Sequence, residues 1–419
     1  MEIPAERYSS LHKRSSLHYK RISAFALAGA GLLTLCGATW SQLYLEAGSS
    51  RAGCLTLIAA AILLGIAAMA LAERESAATF SAPRGSAYLW ILAVLLALHG
   101  FVAYWVISRG PPQVDCFTWQ RDATATLLQG RDPYGTSHAD IYNAGDSRRF
   151  YGPGTVVNGR VQVGLTYPPA VFLSALPGYL LGDVRYGYLA AILLSTMFLY
   201  GLFPDARGLS FAAFLLMAPT TYYLEQQCWT EPLVWMLLCA TVYAAVKRPR
   251  WLPLAFGLFL ASKQYNFLAL PFVGYLVRPF SWKACWKLLG ISLGIALATV
   301  LPFALWNFRA LWHDLYFFLS IVPVRRDALS FAIPFPAYAK IGPAILLAFI
   351  VWGARRGTRQ PEMFAAAYGM ALLLFFSASE QAFLNYYFLI AQAFLLAAAA
   401  LWPATGVQPP ARERQVAVT

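Results

Sequence analysis

Charged residues are scarce in this sequence of 419 residues. Only 12% are Asp, Glu, Lys or Arg, whereas 59% are hydrophobic, and a soluble globular domain carries roughly 25% charged residues. Several apolar runs reach the roughly 20 residues that an α-helix needs to cross the hydrocarbon core of a bilayer. The shortage of charge therefore excludes an ordinary soluble domain and indicates a polytopic membrane protein.

Metal-ligand clusters are also absent. The six cysteines and five histidines form no CxxC pair and no Cys/His cluster, so we expect no metal site. A disulfide between Cys116 and Cys228, both near the proposed outer face, is a minor alternative to two free thiols. The chain also lacks a Walker loop, GxSxG, HExxH and a DxD pair, so it gives no sign of the chemistry that these motifs carry.

Positive charge is in excess, with a net charge of +13. In a soluble protein this excess would point to nucleic acid, but no basic-aromatic module of that type occurs. In a membrane protein the excess is expected in cytoplasmic loops. We therefore expect membrane lipids around the chain and no nucleic-acid partner. The aromatic residues, 15% of the chain, suit interfacial belts and sugar-stacking surfaces.

Placing the basic loops in the cytoplasm orients the apolar runs. Segment 167–181 is short and opens with two prolines, so we expect an outer juxtamembrane helix. Residues 251–278 form two short apolar halves with basic residues at both ends, which predicts a re-entrant hairpin with Lys263 near its tip. The expected spans are 22–45, 53–72, 87–108, 187–203, 209–223, 230–246, 284–303, 337–353, 362–378 and 387–402.

These runs predict an all-α bundle of about ten to twelve transmembrane helices, with re-entrant and juxtamembrane helices, in the inner (plasma) membrane. Residues 1–86 would form a cytoplasmic tail and two extra helices, 87–402 the functional membrane domain, and 403–419 a cytoplasmic tail that is disordered from Gln408 onward. No internal repeat is visible, so the inverted symmetry of many transporters is not evident.

The main polar segment is the insert 109–166, which the third helix delivers to the outer face. It holds six Arg, five Asp and no Lys, and its Pro and Gly residues predict loops and short helices. Its segment 115–129 predicts an amphipathic helix that lies on the membrane, with Phe117, Ala123, Leu127 and Leu128 on one side. Asp115 could act as general base toward a substrate hydroxyl, or it could equally cap a surface helix. Arg121 and Asp122 are typical of a local ion pair, and Asp132 is typical of a turn.

Other polar residues collect on the same face, at or within apolar runs, where ionisable groups are costly and mark candidate sites. Lys263 needs an anionic partner, and a phosphate or a carboxylate such as Glu231 would each serve. Arg325 and Arg326 could hold a phosphate bidentately or form a solvated basic pair.

The outer turn before 230–246 and the last two spans add further candidates. Gln226 and Glu231 could contact a sugar, although Glu225 and Glu231 are each more typical of solvated helix ends. Tyr167 precedes two prolines, which first predicts a helix start, with a secondary role in closing the site. Asn385 could cap a helix or line the site.

Together these features resemble the bacterial polyprenyl-phosphate-mannose-dependent mannosyltransferase family, glycosyltransferase family 87, which has the GT-C fold. The segments that carry the resemblance are Asp115, Gly130-Arg-Asp-Pro133-Tyr134, Tyr167-Pro168-Pro169, Gln226, the basic loop 247–250, Ala261-Ser262-Lys263 and Asn385-Tyr386-Tyr387. The chain departs from the family in its two extra helices within 22–72. The usual Gly-Gln of the outer turn is Glu225-Gln226-Gln227 here, which puts the role of Gln226 in question.

The resemblance covers roughly 87–402 and implies a GT-C membrane glycosyltransferase. A sugar, such as the hexose mannose, would move from polyprenyl phosphate to a lipid or glycan acceptor on the extracytoplasmic face, with inversion and no cofactor besides the lipid-linked donor. Asp115 would be the general base, and Lys263 with the Arg325-Arg326 pair would hold the lipid phosphate. The alternatives are a transporter or flippase of a lipid-linked or anionic solute, with Lys263 and Glu231 as site residues, and a non-catalytic membrane assembly protein.

Overall fold

A computed structural model describes residues 23–39, 48–72, 86–355 and 360–402. These residues are predominantly helical, with three strands of only two residues each, so the all-α class is confirmed. The tails expected within 1–22 and 403–419 lie outside the described residues. The helices are α1 (Ser23–Thr39), α2 (Gly48–Ala72), α3 (Ser86–Ile107), α4 (Asp115–Leu128), α5 (Ala144–Tyr151), α6 (Pro169–Leu180), α7 (Arg185–Leu202), α8 (Ala206–Met217), α9 (Pro219–Gln226), α10 (Glu231–Lys247), α11 (Leu252–Ser262), α12 (Trp282–Trp312), α13 (Phe318–Ile321), α14 (Pro336–Ala354), α15 (Pro361–Ser377) and α16 (Leu384–Leu401).

Four helical stretches are long and apolar enough to cross a membrane: α3, the stretch Trp282–Ile321, α14 and α16. The helices α9 and α10 meet at 116° and would add a fifth if they form one broken span. Five further apolar segments, in α1, α2, α6, α8 and α15, are shorter. The described residues thus form a helical membrane protein by length and composition, and the expected ten to twelve spans stay a prediction.

The single run expected over 209–223 is wrong, because the chain breaks between α8 and α9. Pro219 lacks an amide proton and cannot continue α8. Two side chains donate hydrogen bonds to carbonyls of α8 that the break leaves without a helical partner. The Thr221 hydroxyl donates to the Leu215 carbonyl at 2.7 Å, and His99 Nδ1 donates to the Leu216 carbonyl at 2.6 Å.

The helix expected to end with the span 284–303 is longer than predicted, because α12 continues to Trp312. Asn307 interrupts it with non-helical angles, φ −156° and ψ 82°. Its side-chain oxygen accepts from the Ala310 amide at 3.1 Å, which caps the following helical part. Its amide nitrogen donates to Asp132 Oδ2 at 2.9 Å, so this kink is tied to the insert.

The run 251–278 divides at Lys263 into two helical halves, as expected, while its re-entry into the membrane stays a prediction. Helix α11 ends before Lys263, whose backbone is extended, and a 3₁₀ segment, Gln264–Tyr275, follows. Glu362, at the start of α15, lies 3.7 Å from Arg278 and interacts electrostatically with Lys247. Because these two basic residues flank the hairpin, both of its ends lie at one side of the bundle. Lys263 therefore lies at the tip.

The insert folds into α4, α5 and a small antiparallel sheet of order β1-β3-β2, with β1 at His138–Ala139, β2 at Val156–Val157 and β3 at Arg160–Val161. We expected α4 to lie on the membrane with Phe117, Ala123, Leu127 and Leu128 on one side. That expectation is wrong, because Phe117 packs into the main bundle core while Ala123 packs into a second core within the insert. Only Leu128 of the four is exposed, so α4 connects two cores.

Candidate functional site

Asp115 is the first residue of α4, close to the boundary between the two cores. The N-cap is Val114, without a side-chain bond, so the interpretation of Asp115 as the cap is wrong. The Cys116 amide donates to Asp115 Oδ1 at 2.7 Å. Two phenols lie on the other side: Asp115 N–H donates to the Tyr142 hydroxyl at 3.3 Å, and the Tyr151 hydroxyl interacts with the carboxylate.

Burial raises the pKa of the Asp115 carboxyl above its ordinary value, although the Cys116 amide, the Arg325 charge and the Tyr151 hydroxyl oppose the shift. A general base works best when its pKa lies near the working pH, and an ordinary Asp is too weak a base for that. Burial, followed by the charge of Asp115, raises the pKa of both Tyr142 and Tyr151, so the two phenols stay neutral hydrogen-bond donors.

Lys263 is buried and ion-paired. Its ammonium lies 3.3 Å from Glu231 Oε1 and also donates to the Thr230 hydroxyl. The carboxylate alternative for its partner is thus the one observed. Lys263 is 6% exposed and Glu231 is 0% exposed, so the expectation of Glu231 as a solvated helix end is wrong. Three aromatic rings have centroids 4.4, 5.9 and 6.0 Å from the ammonium nitrogen: Tyr167, Tyr265 and Tyr386.

The surroundings of Asp115 and Lys263 adjoin. Cys116, the neighbour of Asp115 in sequence, interacts electrostatically with both Lys263 and Glu231. The Tyr167 hydroxyl interacts with Asp115 and with Glu231, while the Tyr167 ring faces the Lys263 ammonium. The fold therefore joins the start of the insert, the α10 start and the hairpin tip into one cluster, which we call the Asp115–Lys263 cluster.

The two adjacent arginines separate in the structure. Arg325 donates to both carboxylate oxygens of Asp327, at 2.9 and 2.7 Å, and its guanidinium lies over the rings of Phe150 (4.4 Å) and Phe383 (4.7 Å). Its charge acts on Asp115. The Arg326 side chain is exposed, so the structure brings Arg325 to the cluster.

Gln226 and Asn385 flank this cluster. Gln226 is half-buried at the end of α9, and its side-chain oxygen accepts from Gln227 at 2.8 Å. The Gln227 carbonyl in turn accepts from the Cys116 thiol at 3.2 Å. Asn385 is buried and hydrogen-bonds the Tyr386 side chain near Lys263.

One expectation for a neighbouring residue differs from the structure. Glu225 is not a solvated helix end: it is buried and lies 3.0 Å from His99 Nε2 of α3. Cys116 and Cys228 are free buried thiols. Within the described ranges, no three His, Cys, Asp or Glu side chains are arranged to hold a metal ion.

Arg185 is a positioning residue that the sequence analysis missed. It is buried at the start of α7, ion-paired with Asp183 at 2.6 Å. Its guanidinium donates to the carbonyls of Ile107 (2.9 Å) and Gly110 (3.0 Å), where α3 ends and the insert begins. A cation is stabilising at a helix C-terminus. The signal available was an Asp-Val-Arg triplet between two apolar runs.

The arrangement can perform proton abstraction beside fixed positive charge. Asp115 can accept a proton, and Lys263 and Arg325 can stabilise negative charge that develops nearby. In comparisons with known proteins, no family model and no curated protein matches the chain.

Proposed function

We propose that this chain is an integral membrane glycosyltransferase of the GT-C type. It transfers a sugar, a hexose such as mannose, from a polyprenyl-phosphate donor to a lipid or glycan acceptor on the extracytoplasmic face of the plasma membrane. The observation that carries the proposal is that Cys116 and Tyr167 link Asp115 to the buried Lys263 in one cluster. The residues that form the Asp115–Lys263 cluster are far apart in sequence, and a purely structural role for Asp115 would not need a basic, aromatic surrounding.

In the proposed reaction, Asp115 removes the proton from the acceptor hydroxyl. The hydroxyl oxygen attacks the anomeric carbon from the side opposite the phosphate and forms the new glycosidic bond. The bond between the anomeric carbon and the phosphate oxygen breaks, and its electron pair leaves with the lipid phosphate. The proton remains on Asp115, and the configuration at the anomeric carbon inverts.

The leaving phosphate gains one negative charge, which needs a fixed positive counterpart. Arg325, 20% exposed at its side chain, already donates bidentately to Asp327, so in this proposal it supplies its positive charge beside the phosphate. The Lys263 ammonium already contacts Thr230 and Glu231, so it acts in this proposal as a stationary charge below the phosphate. Arg326 and Asn385 would meet the donor at the edge of the site, and Gln226 would meet its sugar. Glu231 is fully buried, so it would act only through its ion pair with Lys263.

The donor lipid also needs an apolar path beside the cluster. Helices α12 and α14 expose leucine and isoleucine side chains along their length, including Leu297 (58%), Leu305 (78%) and Ile341 (54%). The 3₁₀ segment after Lys263 packs against α14 through Phe272 and Phe349, with ring centroids 6.0 Å apart. A polyprenyl chain lying along these surfaces would reach the hairpin tip, where its phosphate is proposed to bind.

The test of this function is a transfer assay with the full chain in lipid nanodiscs. Polyprenyl-phosphate sugars with different labelled hexoses are supplied together with a membrane glycan extract. The proposal predicts that one labelled sugar moves to an acceptor in a lipid-phosphate-dependent reaction. No transfer from any polyprenyl-phosphate sugar would overturn the proposal.

Transport of a lipid-linked or anionic solute is the second candidate. The observation that favours it is a buried pair, His99 of α3 with Glu225 of α9, inside an apolar helix, where ionisable side chains often belong to solute or proton pathways. Uptake or flipping in proteoliposomes, abolished by His99→Phe and without any sugar transfer, would support this function instead.

A further inference from the structure

The insert contains a second polar feature, a cleft that the proposed reaction does not use. The cleft has a volume of about 650 Å³ and opens between the later turns of α4, the β3 edge of the small sheet and the residues that follow α12. That volume lies within the range of small-molecule sites, roughly 300–1,000 Å³. Asp122 lines the cleft and follows Asp115 by seven residues of α4. The cleft therefore begins about 10 Å from Asp115 along the helix axis.

Buried hydrogen bonds hold the walls of this cleft in place. Asp314 Oδ2 accepts from the amides of Gly164 (2.7 Å) and Leu165 (2.9 Å), which joins the end of α12 to the insert. His138 bonds Asp122 at 3.0 Å on one side and the Gly164 carbonyl on the other. The cleft is therefore formed before any ligand binds.

The carboxylates that line the cleft already have partners. Asp122 is ion-paired with Arg121 at 2.8 Å and bonded to His138, and these bonds lower the pKa of its carboxyl although burial opposes them. Asp314 accepts from His313 Nδ1 at 2.9 Å and from the two backbone amides. The negative charges of Asp122 and Asp314 are thus bound to groups in the cleft walls and are not directed at a ligand.

The arginines that line the cleft have only uncharged partners among the described residues. Arg160 donates to the Ser137 hydroxyl at 2.8 Å, and Arg131 donates to the Gln129 side-chain oxygen at 3.1 Å. His313 also lines the cleft, with its Nδ1 held by Asp314 and its Nε2 left for a ligand. The cleft therefore presents two guanidinium groups, one imidazole and the Gln129 amide.

We propose that this cleft binds an anionic sugar unit of the acceptor glycan, one that carries a carboxylate or a phosphate. Guanidinium groups bind both anions bidentately, and amide and hydroxyl groups suit sugar hydroxyls. Its description as an acceptor site depends on the function proposed above, because Asp115 would then act on the hydroxyl at one end of the glycan. The chemistry of the cleft itself does not depend on that function.

The test is calorimetric binding to the full chain in nanodiscs of zwitterionic lipid. The probes are a hexuronate trisaccharide, a phosphorylated hexose trisaccharide and an uncharged hexose trisaccharide. We expect at least one anionic probe to bind, and the uncharged probe to bind roughly tenfold or more weakly. Which anionic probe binds distinguishes a carboxylate from a phosphate.

Variants inside and outside the cleft show whether the anionic probe binds in it. Arg131→Gln with Arg160→Gln should weaken the anionic probe roughly tenfold or more. Arg109→Gln with Arg148→Gln, which removes the same charge elsewhere in the insert, should leave the affinity unchanged. Ala125→Trp, which fills the cleft without changing charge, should also abolish binding.

Equal affinity for the charged and uncharged probes, no binding of either anionic probe, or full affinity in the Arg131/Arg160 variant would each overturn the proposal. The Asp115→Asn variant should bind the probe like the wild type. Because binding is measured without turnover, a failure of the proposed transferase activity would be seen separately, in the transfer assay.

Discussion

The Asp115 carboxylate is held by one amide and faced by two phenols, and this local arrangement determines its protonation. Burial raises its pKa, while the Tyr151 hydroxyl lowers it. A general base must be deprotonated, so the rate should fall as the pH drops through this pKa, at a higher pH than for an ordinary Asp. The acid limb of the rate profile should therefore report on the neighbours of Asp115.

Tyr151→Phe removes a hydrogen bond that favours the charged carboxylate, so the pKa of Asp115 should rise further. We expect the acid limb of the kcat/KM profile to move to higher pH in this variant, measured by transfer rates across the pH range. Tyr316→Phe, which removes a 52% exposed phenol, is the control. An unchanged acid limb in Tyr151→Phe would show that the pKa of Asp115 does not determine the pH at which the rate falls.

Lys263 and Glu231 are buried together, so removing one charge leaves the other unpaired. Lys263→Met should cost about 3–5 kcal/mol in the free energy of unfolding. Adding Glu231→Gln should recover much of that loss, because the double variant has no buried charge at this place. Thermal unfolding in detergent measures both. Equal stability of Lys263→Met and wild type would mean that the Lys263–Glu231 ion pair contributes nothing to the free energy of unfolding.

At the level of elements, the hairpin depends on a close approach between α11 and α12. A Cβ added at Gly257 would lie 2.8 Å from the Ser292 carbonyl oxygen and from Ile295 Cβ. These distances are below van der Waals contact, and the Ser292 contact is to the backbone. The tip that carries Lys263 is held by this packing.

Gly257→Ala should therefore destabilise the protein by roughly 1–3 kcal/mol, because α11 must move away from α12. Gly294→Ala is the matched control, since nothing lies within 4 Å of its added Cβ, and alanine should stabilise that helix by up to about 1 kcal/mol. The measurement is the unfolding transition of both variants in the same detergent. A loss of equal size in both would contradict the close approach.

Much of the helical order could be predicted from apolar runs and from proline, which stands in the first turn of α6, α10, α14 and α15. The hairpin could also be predicted, because basic residues flank both ends of a run with a lysine in its centre. The break before Pro219 has a local cause that the sequence carries, because proline cannot continue a helix. The length of α12 could not be predicted, because the kink at Asn307 depends on Asp132, a side chain from a distant segment.

The candidate site could be predicted only in part. Depth in an apolar run singled out Lys263, and position after the third helix singled out Asp115. Tyr142 and Tyr151 lie 27 and 36 residues after Asp115 in the numbering, so only the folded insert brings them to it. The position of Arg325 has the same cause, since Asp327, Phe150 and Phe383 hold it beside the cluster only in the folded chain.

For the molecule as a whole, the proposal requires the insert to face the outside and the loop 247–250 to face the cytoplasm. Reporter cysteines at the exposed residues Arg148 and Arg250 test this, with the exposed Cys36 replaced by Ala. We expect a membrane-impermeant thiol reagent to label Arg148→Cys in intact cells. Arg250→Cys should be labelled only after permeabilisation. The reverse labelling pattern would place the Asp115–Lys263 cluster on the cytoplasmic side and contradict the proposal.

The Asp115→Asn variant should fold normally, so that it reports on chemistry. Because the folded pKa of Asp115 is raised, this carboxyl favours folding at acid pH, and that contribution is lost as pH rises through the folded pKa. Relative to wild type, the variant should therefore gain stability between acid and neutral pH. Its unfolding temperature at the two pH values checks this.

The most direct measurement is sugar transfer by Asp115→Asn in membranes supplied with labelled polyprenyl-phosphate sugar. Asp146→Asn, which removes another carboxylate of the insert, is the matched control and should transfer at the wild-type rate. Loss of a general base predicts a rate about 10²- to 10⁴-fold lower for Asp115→Asn, with binding of the donor retained. Transfer by Asp115→Asn at the full wild-type rate would contradict the assignment of Asp115 as the catalytic base.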